Sequence, residues 1–155
     1  MEDASSNGWI PVVEVDMLIR RLAREVWEAF ADPDEIRRFW VARSTGRLET
    51  GAVVTWMFKI AGAETDVTVL EARPGELLDL RWDGQPLRIS FADRGDSTLV
   101  TVRVTEFRGD TPAATAVETM SGFTLVLASL KMWLEHGIEG ELMYDRFPDA
   151  TYADR

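Results

Sequence analysis

The sequence contains no cysteine and a single histidine, His136. The missing thiols exclude disulfides, thiolate nucleophiles and zinc–thiolate sites, and the composition fits a cytoplasmic protein. One histidine leaves little room for a Ser-His-Asp triad, and no Gly-x-Ser-x-Gly elbow is present. No Asp/Glu run has the spacing of a calcium loop, so no metal site is expected. No glycine cluster lies between a strand and a helix; a phosphate loop is therefore excluded and no cofactor is expected. An excess of positive charge is also missing. The formal net charge is −10, which argues against a nucleic-acid partner and against docking on anionic membrane surfaces. The acidity reads simply as a means of keeping the domain soluble. Residues 1–8 show neither the basic nor the apolar region of a signal peptide. No apolar run is expected to be long enough to span a membrane, so membrane insertion is not expected.

What is present suits one domain: 155 residues, 46% of them hydrophobic and six of them Trp. From Val12 to Arg20 the chain alternates, with Val13, Val15, Met17 and Ile19 on one side and Glu14 and Asp16 on the other, which predicts a half-buried strand. Val26, Trp27 and Phe30 then fall at helical spacing over Arg24–Phe30. Asp32-Pro33 breaks that helix and caps a second one, predicted over Asp34–Trp40 with Ile36, Phe39 and Trp40 inward. Six strands joined by short turns are predicted from Arg43 to Phe107, and such turns require antiparallel pairing. The first of these ends near Glu49, the second covers Ala52–Ile60, and the last and longest covers Thr98–Phe107. Thr111-Pro112 opens a long helix that runs to about His136 and is stopped by Gly137. Some 25 residues give roughly 37 Å, enough to cross the sheet. Its apolar stripe is Val117, Met120, Phe123, Leu127, Leu130 and Leu134. Gly122 in its middle marks either a bend or close approach by backbone or ligand, or a small packing contact. The boundaries are a flexible arm over 1–11, the domain over 12–140 and a tail over 141–155. The tail reads as packing back on the domain, with a dimer contact as the alternative.

In that order of elements, four segments resemble a known family. They are Val26–Pro33 followed by Ile36 and the pair Phe39-Trp40; Glu71–Leu78 followed by Arg81-Trp82; Ser97–Val102; and Ser121-Gly122-Phe123 followed by Leu130–Gly137. Together they are similar to proteins related to the activator of the heat-shock-protein ATPase, within the START-like (SRPBCC, polyketide cyclase-like) superfamily. The resemblance spans about residues 12–140. The position of Phe123 is commonly Trp in the family, and the tail exceeds its usual pattern. The resemblance implies an α+β helix-grip fold, in which a curved antiparallel sheet wraps the long C-terminal helix, with two short helices after the first strand. It also implies a cavity between sheet and helix, but fold does not fix activity.

The candidate ligand-binding residues are Trp40, Trp56, Phe58, Trp82 and Phe91, facing Met120, Phe123 and Leu127. Taken singly, each is more simply core; as a set they outline an apolar site. Asp79 and Arg81 share the strand face opposite Leu78, Leu80 and Trp82, which sends them to solvent. His136 suits a helix end, where it favours the dipole. Three readings follow. The first is a non-catalytic carrier or sensor of a small hydrophobic ligand. The second is a cyclase- or dehydratase-type enzyme acting in the same cavity, which needs an inward ionisable group. The third is a chaperone-linked interaction domain; a homodimer is also compatible with the sequence.

Overall fold

The alternation after Val12 forms β1 (Val13–Ile19), whose ends Val13 and Ile19 are buried. The computed structural model describes residues 10–152, so all but the last two residues of the predicted N-terminal arm lie outside it. The helix α1 (Ala23–Ala31) buries Val26, Trp27 and Phe30, and the Trp27 indole donates to the Leu77 carbonyl at 3.0 Å. At Asp32 the backbone turns extended (φ −83°, ψ 122°), and its Oδ1 accepts from the Asp34 N–H at 2.8 Å, capping α2 (Pro33–Ile36). α2 is shorter than the sequence predicts. Residues 37–40 form tight turns instead, with Arg38 N–H bonded to the Glu35 carbonyl and Phe39 N–H to the Ile36 carbonyl. Ile36, Phe39 and Trp40 are nonetheless buried.

The six predicted strands are β2 (Arg43–Ser44), β3 (Val53–Met57), β4 (Glu64–Arg73), β5 (Leu77–Trp82), β6 (Gln85–Asp93) and β7 (Thr98–Val104). With β1 they make one antiparallel sheet in the order β1-β7-β6-β5-β4-β3-β2. β1 and β2 lie at opposite edges, so α1 and α2 carry the chain from one side of the sheet to the other. Three strand boundaries differ from the sequence reading. β2 has two residues. β3 stops at Met57, because Ile60 bridges instead to Tyr152 in the tail. β4, with ten residues, is longer than β7, with seven; beyond Val104 the chain soon enters a left-handed turn at Glu106 (φ 59°). A register shift between Val69 and Glu71 breaks the β4–β5 ladder and leaves Leu70 exposed. Such a bulge bends the strand and increases its twist.

The long helix α3 (Pro112–His136) ends as the sequence predicts. Gly137 takes a left-handed backbone (φ 66°), its N–H reaches the Trp133 carbonyl at 2.8 Å, and the Ile138 N–H reaches Met132 at 3.2 Å. The inward row of α3 runs through Ala116, Thr119, Phe123, Val126, Leu127 and Leu130. Val117 and Met120, predicted on that stripe, are 70% and 46% exposed. Two helical turns back from Phe123 lies Ala116, so Val117 and Met120 sit on the flank. By length and composition α3 is apolar enough to cross a membrane, with a mean hydropathy of 1.3, contrary to the sequence reading. Its Phe123, Val126, Leu127 and Leu130 are buried in the common core, as in a core helix.

A polar clamp fixes the end of α3 to β1. The Glu135 carboxylate, with only 8% of its side chain exposed, accepts from the Arg20 N–H at 2.9 Å and from Lys131 Nζ at 2.7 Å. The same ammonium donates to the Leu18 carbonyl at 2.9 Å. Burial alone would raise the Glu135 pKa; the Arg20 N–H and the Lys131 ammonium outweigh it and hold the carboxyl below its ordinary value. A carboxylate depressed in this way stabilises the fold above its unfolded pKa, and that contribution is lost as pH falls through the folded pKa. Glu135→Gln is therefore expected to cost about 1–2 kcal/mol at pH 7 and much less near pH 3. Urea melts of both proteins at the two pH values check this; an equal loss at both would remove the charge from the explanation.

Candidate functional site

Aromatic rings from α1, the turns after α2, β3 and the segment after it, β5, β6 and α3 meet between the sheet and α3. Trp40, at the end of the turns after α2, stands 4.7 Å from Trp56 of β3, 6.2 Å from Trp82 of β5 and 5.3 Å from Phe123 of α3. Trp82 is 5.5 Å from Phe123 and 6.5 Å from Phe58. On the other side of Trp40, Phe30 of α1 reaches Phe39 at 5.1 Å and Phe91 of β6 at 5.8 Å. Most of these contacts are edge-to-face, the arrangement that ring quadrupoles favour.

This cluster has a filled side and an open side. The open side is a cavity of about 350 Å³ walled by Trp40, Phe58, Trp82 and Phe123, within the size range of small-molecule sites. Four of the eight predicted residues are thus brought together on its wall. Trp56, Phe91 and Leu127 are buried in the core and Met120 faces solvent, so none of these four lines it. Trp56 packs against Trp40, and Phe91 against Phe30, within the buried core. α3 adds Thr119, Gly122 and Val126 to the wall. A Cβ placed on Gly122 would meet no atom within 4 Å, so the glycine opens onto empty space and is not a packing contact.

The remaining wall was not assigned to the site from the sequence. It comprises Lys59, Ile60 and Ala63 after β3, and Met143, Phe147 and Tyr152 of the tail. The tail packs back through the short helix α4 (Leu142–Arg146). The Ala61 N–H donates to the Thr151 carbonyl at 2.9 Å, Tyr144 and Tyr152 rings lie 4.6 Å apart, and the Tyr152 hydroxyl donates to the Phe147 carbonyl. The apolar residues of the tail were visible in the sequence; what they cover was not.

Polar chemistry in the cavity is sparse. The Thr119 hydroxyl is spent on the Thr115 carbonyl, 2.9 Å away in its own helix. Among the described residues the Trp82 indole N–H is buried without a hydrogen-bond partner, as is that of Trp56. Lys59 is the one ionisable amine on the wall, and its Nζ lies 4.8 Å from the centre of the Tyr144 ring. Burial pushes its pKa below the ordinary value, against the opposite pull of the Glu139 and Glu141 carboxylates. Other charged strand residues are engaged elsewhere. Asp79 and Arg81 pair with each other at 3.5 Å, Arg103 pairs with Glu14 at 3.1 Å, and Asp66 accepts from Thr55 at 2.9 Å. His136 is exposed at the end of α3. Among the described residues no group of His, Asp and Glu is arranged to hold a metal.

Comparison with known proteins agrees with this architecture. No curated protein matches the sequence. Among solved structures, the protein SSP2350 from Staphylococcus saprophyticus superposes with a TM-score of 0.75 at 26% identity, covering 83% of this chain and 94% of that one. The Aha1 dimer from Colwellia psychrerythraea gives 0.70 at 18% identity, covering 83% and 98%. DynU16, from the dynemicin biosynthetic locus, gives 0.73 at 23% identity; the match covers 81% of this chain but only 48% of DynU16. The last two likenesses show the fold alone. The model of the "Activator of Hsp90 ATPase homolog 1-like protein" family matches residues 22–135, from α1 to the end of α3, and the chain belongs to that family.

Proposed function

We propose that the protein binds a small apolar molecule in the cavity between sheet and α3, as a non-catalytic carrier or sensor. The supporting observation is an open space of about 350 Å³ walled by six aromatic side chains from the sheet side, α3 and the tail. Such a wall offers dispersion and apolar burial without demanding a particular hydrogen-bonding pattern. A carrier is favoured over a cyclase-type enzyme because the wall holds one amine and no acid–base pair. A homodimer or a chaperone partner finds support in the family description and in the Colwellia Aha1 dimer, by likeness only.

Titration with the neutral dye N-phenyl-1-naphthylamine tests the reading. Saturable, one-to-one enhancement of dye emission is expected, with a change in Trp emission because Trp40 and Trp82 form the wall. Native mass spectrometry of protein purified gently from its host is expected to show an extra mass that is lost on denaturation. Neither saturable dye binding nor an extra mass would remove the ligand site and leave the interaction module.

A further inference from the structure

Lys59 and Lys131 are the only lysines in the sequence, against fifteen arginines among its 17 basic residues. Lys131 is committed to Glu135 and the Leu18 carbonyl. Lys59 forms no ion pair among the described residues; its ammonium lies over the face of Tyr144. The residue also stands at a junction. On one side it lines the apolar cavity with Trp40, Trp82 and Phe123. On the other it lines a polar cleft with Arg37, Arg38, Glu139 and Glu141. Three cations against two carboxylates make that cleft a locally positive spot on a chain whose net charge is −10. Arg38 is paired with Glu139 at 3.3 Å, whereas Arg37 is exposed and makes no ion pair among the described residues.

An ammonium held partly out of water, with Glu139 and Glu141 near but no carboxylate in contact with it among the described residues, is costly, and an anion placed against it recovers much of that cost. Apolar volume on one side of Lys59 and a basic cleft on the other therefore suit a ligand with two unlike ends. We infer that the cavity takes an amphiphile with a single carboxylate, its apolar body among Trp40, Trp82 and Phe123 and its carboxylate at Lys59. The inference rests on the cavity being a ligand site and names the class of ligand. The lowered pKa of Lys59 is in keeping with it: the amine is desolvated, and a bound carboxylate would favour its charged form. Thr119 and Tyr152 spend their hydroxyls on carbonyls of their own segments and offer the head group no anchor; the Trp82 indole N–H is the other donor on the wall.

Isothermal titration of the full chain at pH 7 with 2-naphthoate, and with its neutral counterpart naphthalen-2-ylmethanol, separates the two ends. The acid is expected to bind at least tenfold more tightly than the alcohol. Lys59→Gln is expected to weaken the acid about tenfold and leave the alcohol within twofold, while Lys59→Arg keeps most of the preference. Should Lys59→Gln fail to fold, Lys59→Met, which keeps the apolar stem without the charge, takes its place in the same comparison. Equal affinity of wild type for acid and alcohol, or a preference that survives loss of the amine, overturns the head-group assignment and leaves the cavity intact. No binding of either compound to wild type overturns the cavity reading and this inference with it.

Discussion

Gly122→Leu is expected to abolish uptake of N-phenyl-1-naphthylamine, by at least tenfold in affinity, without lowering the melting temperature. Gly122 sits in the interior of α3 with its missing side chain directed at open space; a Cβ there touches nothing within 4 Å. Glycine in a helix interior costs about 1 kcal/mol relative to alanine. Any residue that fits should therefore gain helix stability, and leucine in addition fills the volume that a ligand would occupy. Gly122→Ala serves as the control: more stable by up to about 1 kcal/mol, with dye affinity within about twofold of wild type. This pair is a sharper test than a charge at Phe123. That ring is buried and touches both Trp40 and Trp82, so a charge there would damage the core as well as the cavity. Unchanged dye binding in Gly122→Leu would place the dye outside the cavity and sink the site.

The largest expected loss of stability belongs to Trp40→Ala. The Trp40 ring touches Phe30, Trp56, Trp82 and Phe123, joining the filled and open sides of the aromatic cluster. Truncating a buried Trp removes its transfer energy and leaves a hole, about 3–5 kcal/mol together, or on the order of 10 °C in Tm for a domain of this size. Phe39→Ala is a useful comparison. Phe39 is equally buried but lies on the filled side, against Phe30, so it should cost a similar amount while the dye still binds to whatever fraction remains folded. Trp40→Ala should cost stability and dye affinity together. Calorimetric melts and dye titration below the transition read both quantities. A Trp40 variant that melts within 2–3 °C of wild type, as a minor contact would on the usual scale, would mean that the ring is not central to the core.

The fold was legible because its local signals agree. Alternation in Val13–Ile19, the Asp32-Pro33 break and the Thr111-Pro112 to Gly137 span each name an element from its own residues, and short turns leave only antiparallel pairing. The site was half legible. Period-two alternation tells which face of a strand a side chain takes, but not its depth along the strand. Trp56 and Trp82 therefore looked alike, although one lies in the core and the other on the cavity wall. Helical phase near the start of α3 was read one residue off, which put Met120 inside when it lies on the flank. The share of the wall given by Met143, Phe147 and Tyr152 depends on a contact between Ile60 and Tyr152, far apart in the chain. No local pattern encodes such a contact. Lys59 was overlooked because a lone charge beside a strand end ordinarily faces water, and only the closed-in geometry shows it between two clefts.

The pairing of β1 with β7 constrains how the chain can reach this structure. The meander from β2 to β7 can form hairpin by hairpin, each step closing a short loop. β1 finds its partner only across Val13↔Val104 and the pairs that follow, so during synthesis the first strand waits, unpaired, until the last has emerged. Its Val13, Val15, Met17 and Ile19 form an alternating apolar face during that interval, which is the kind of segment that invites mispairing between nascent chains. Glu14 and Asp16, interleaved with them, put negative charge on every copy and make that encounter repulsive. The distant pairing also places the chain among slower-folding topologies, because the entropy of closing a long loop is spent before its contacts repay it.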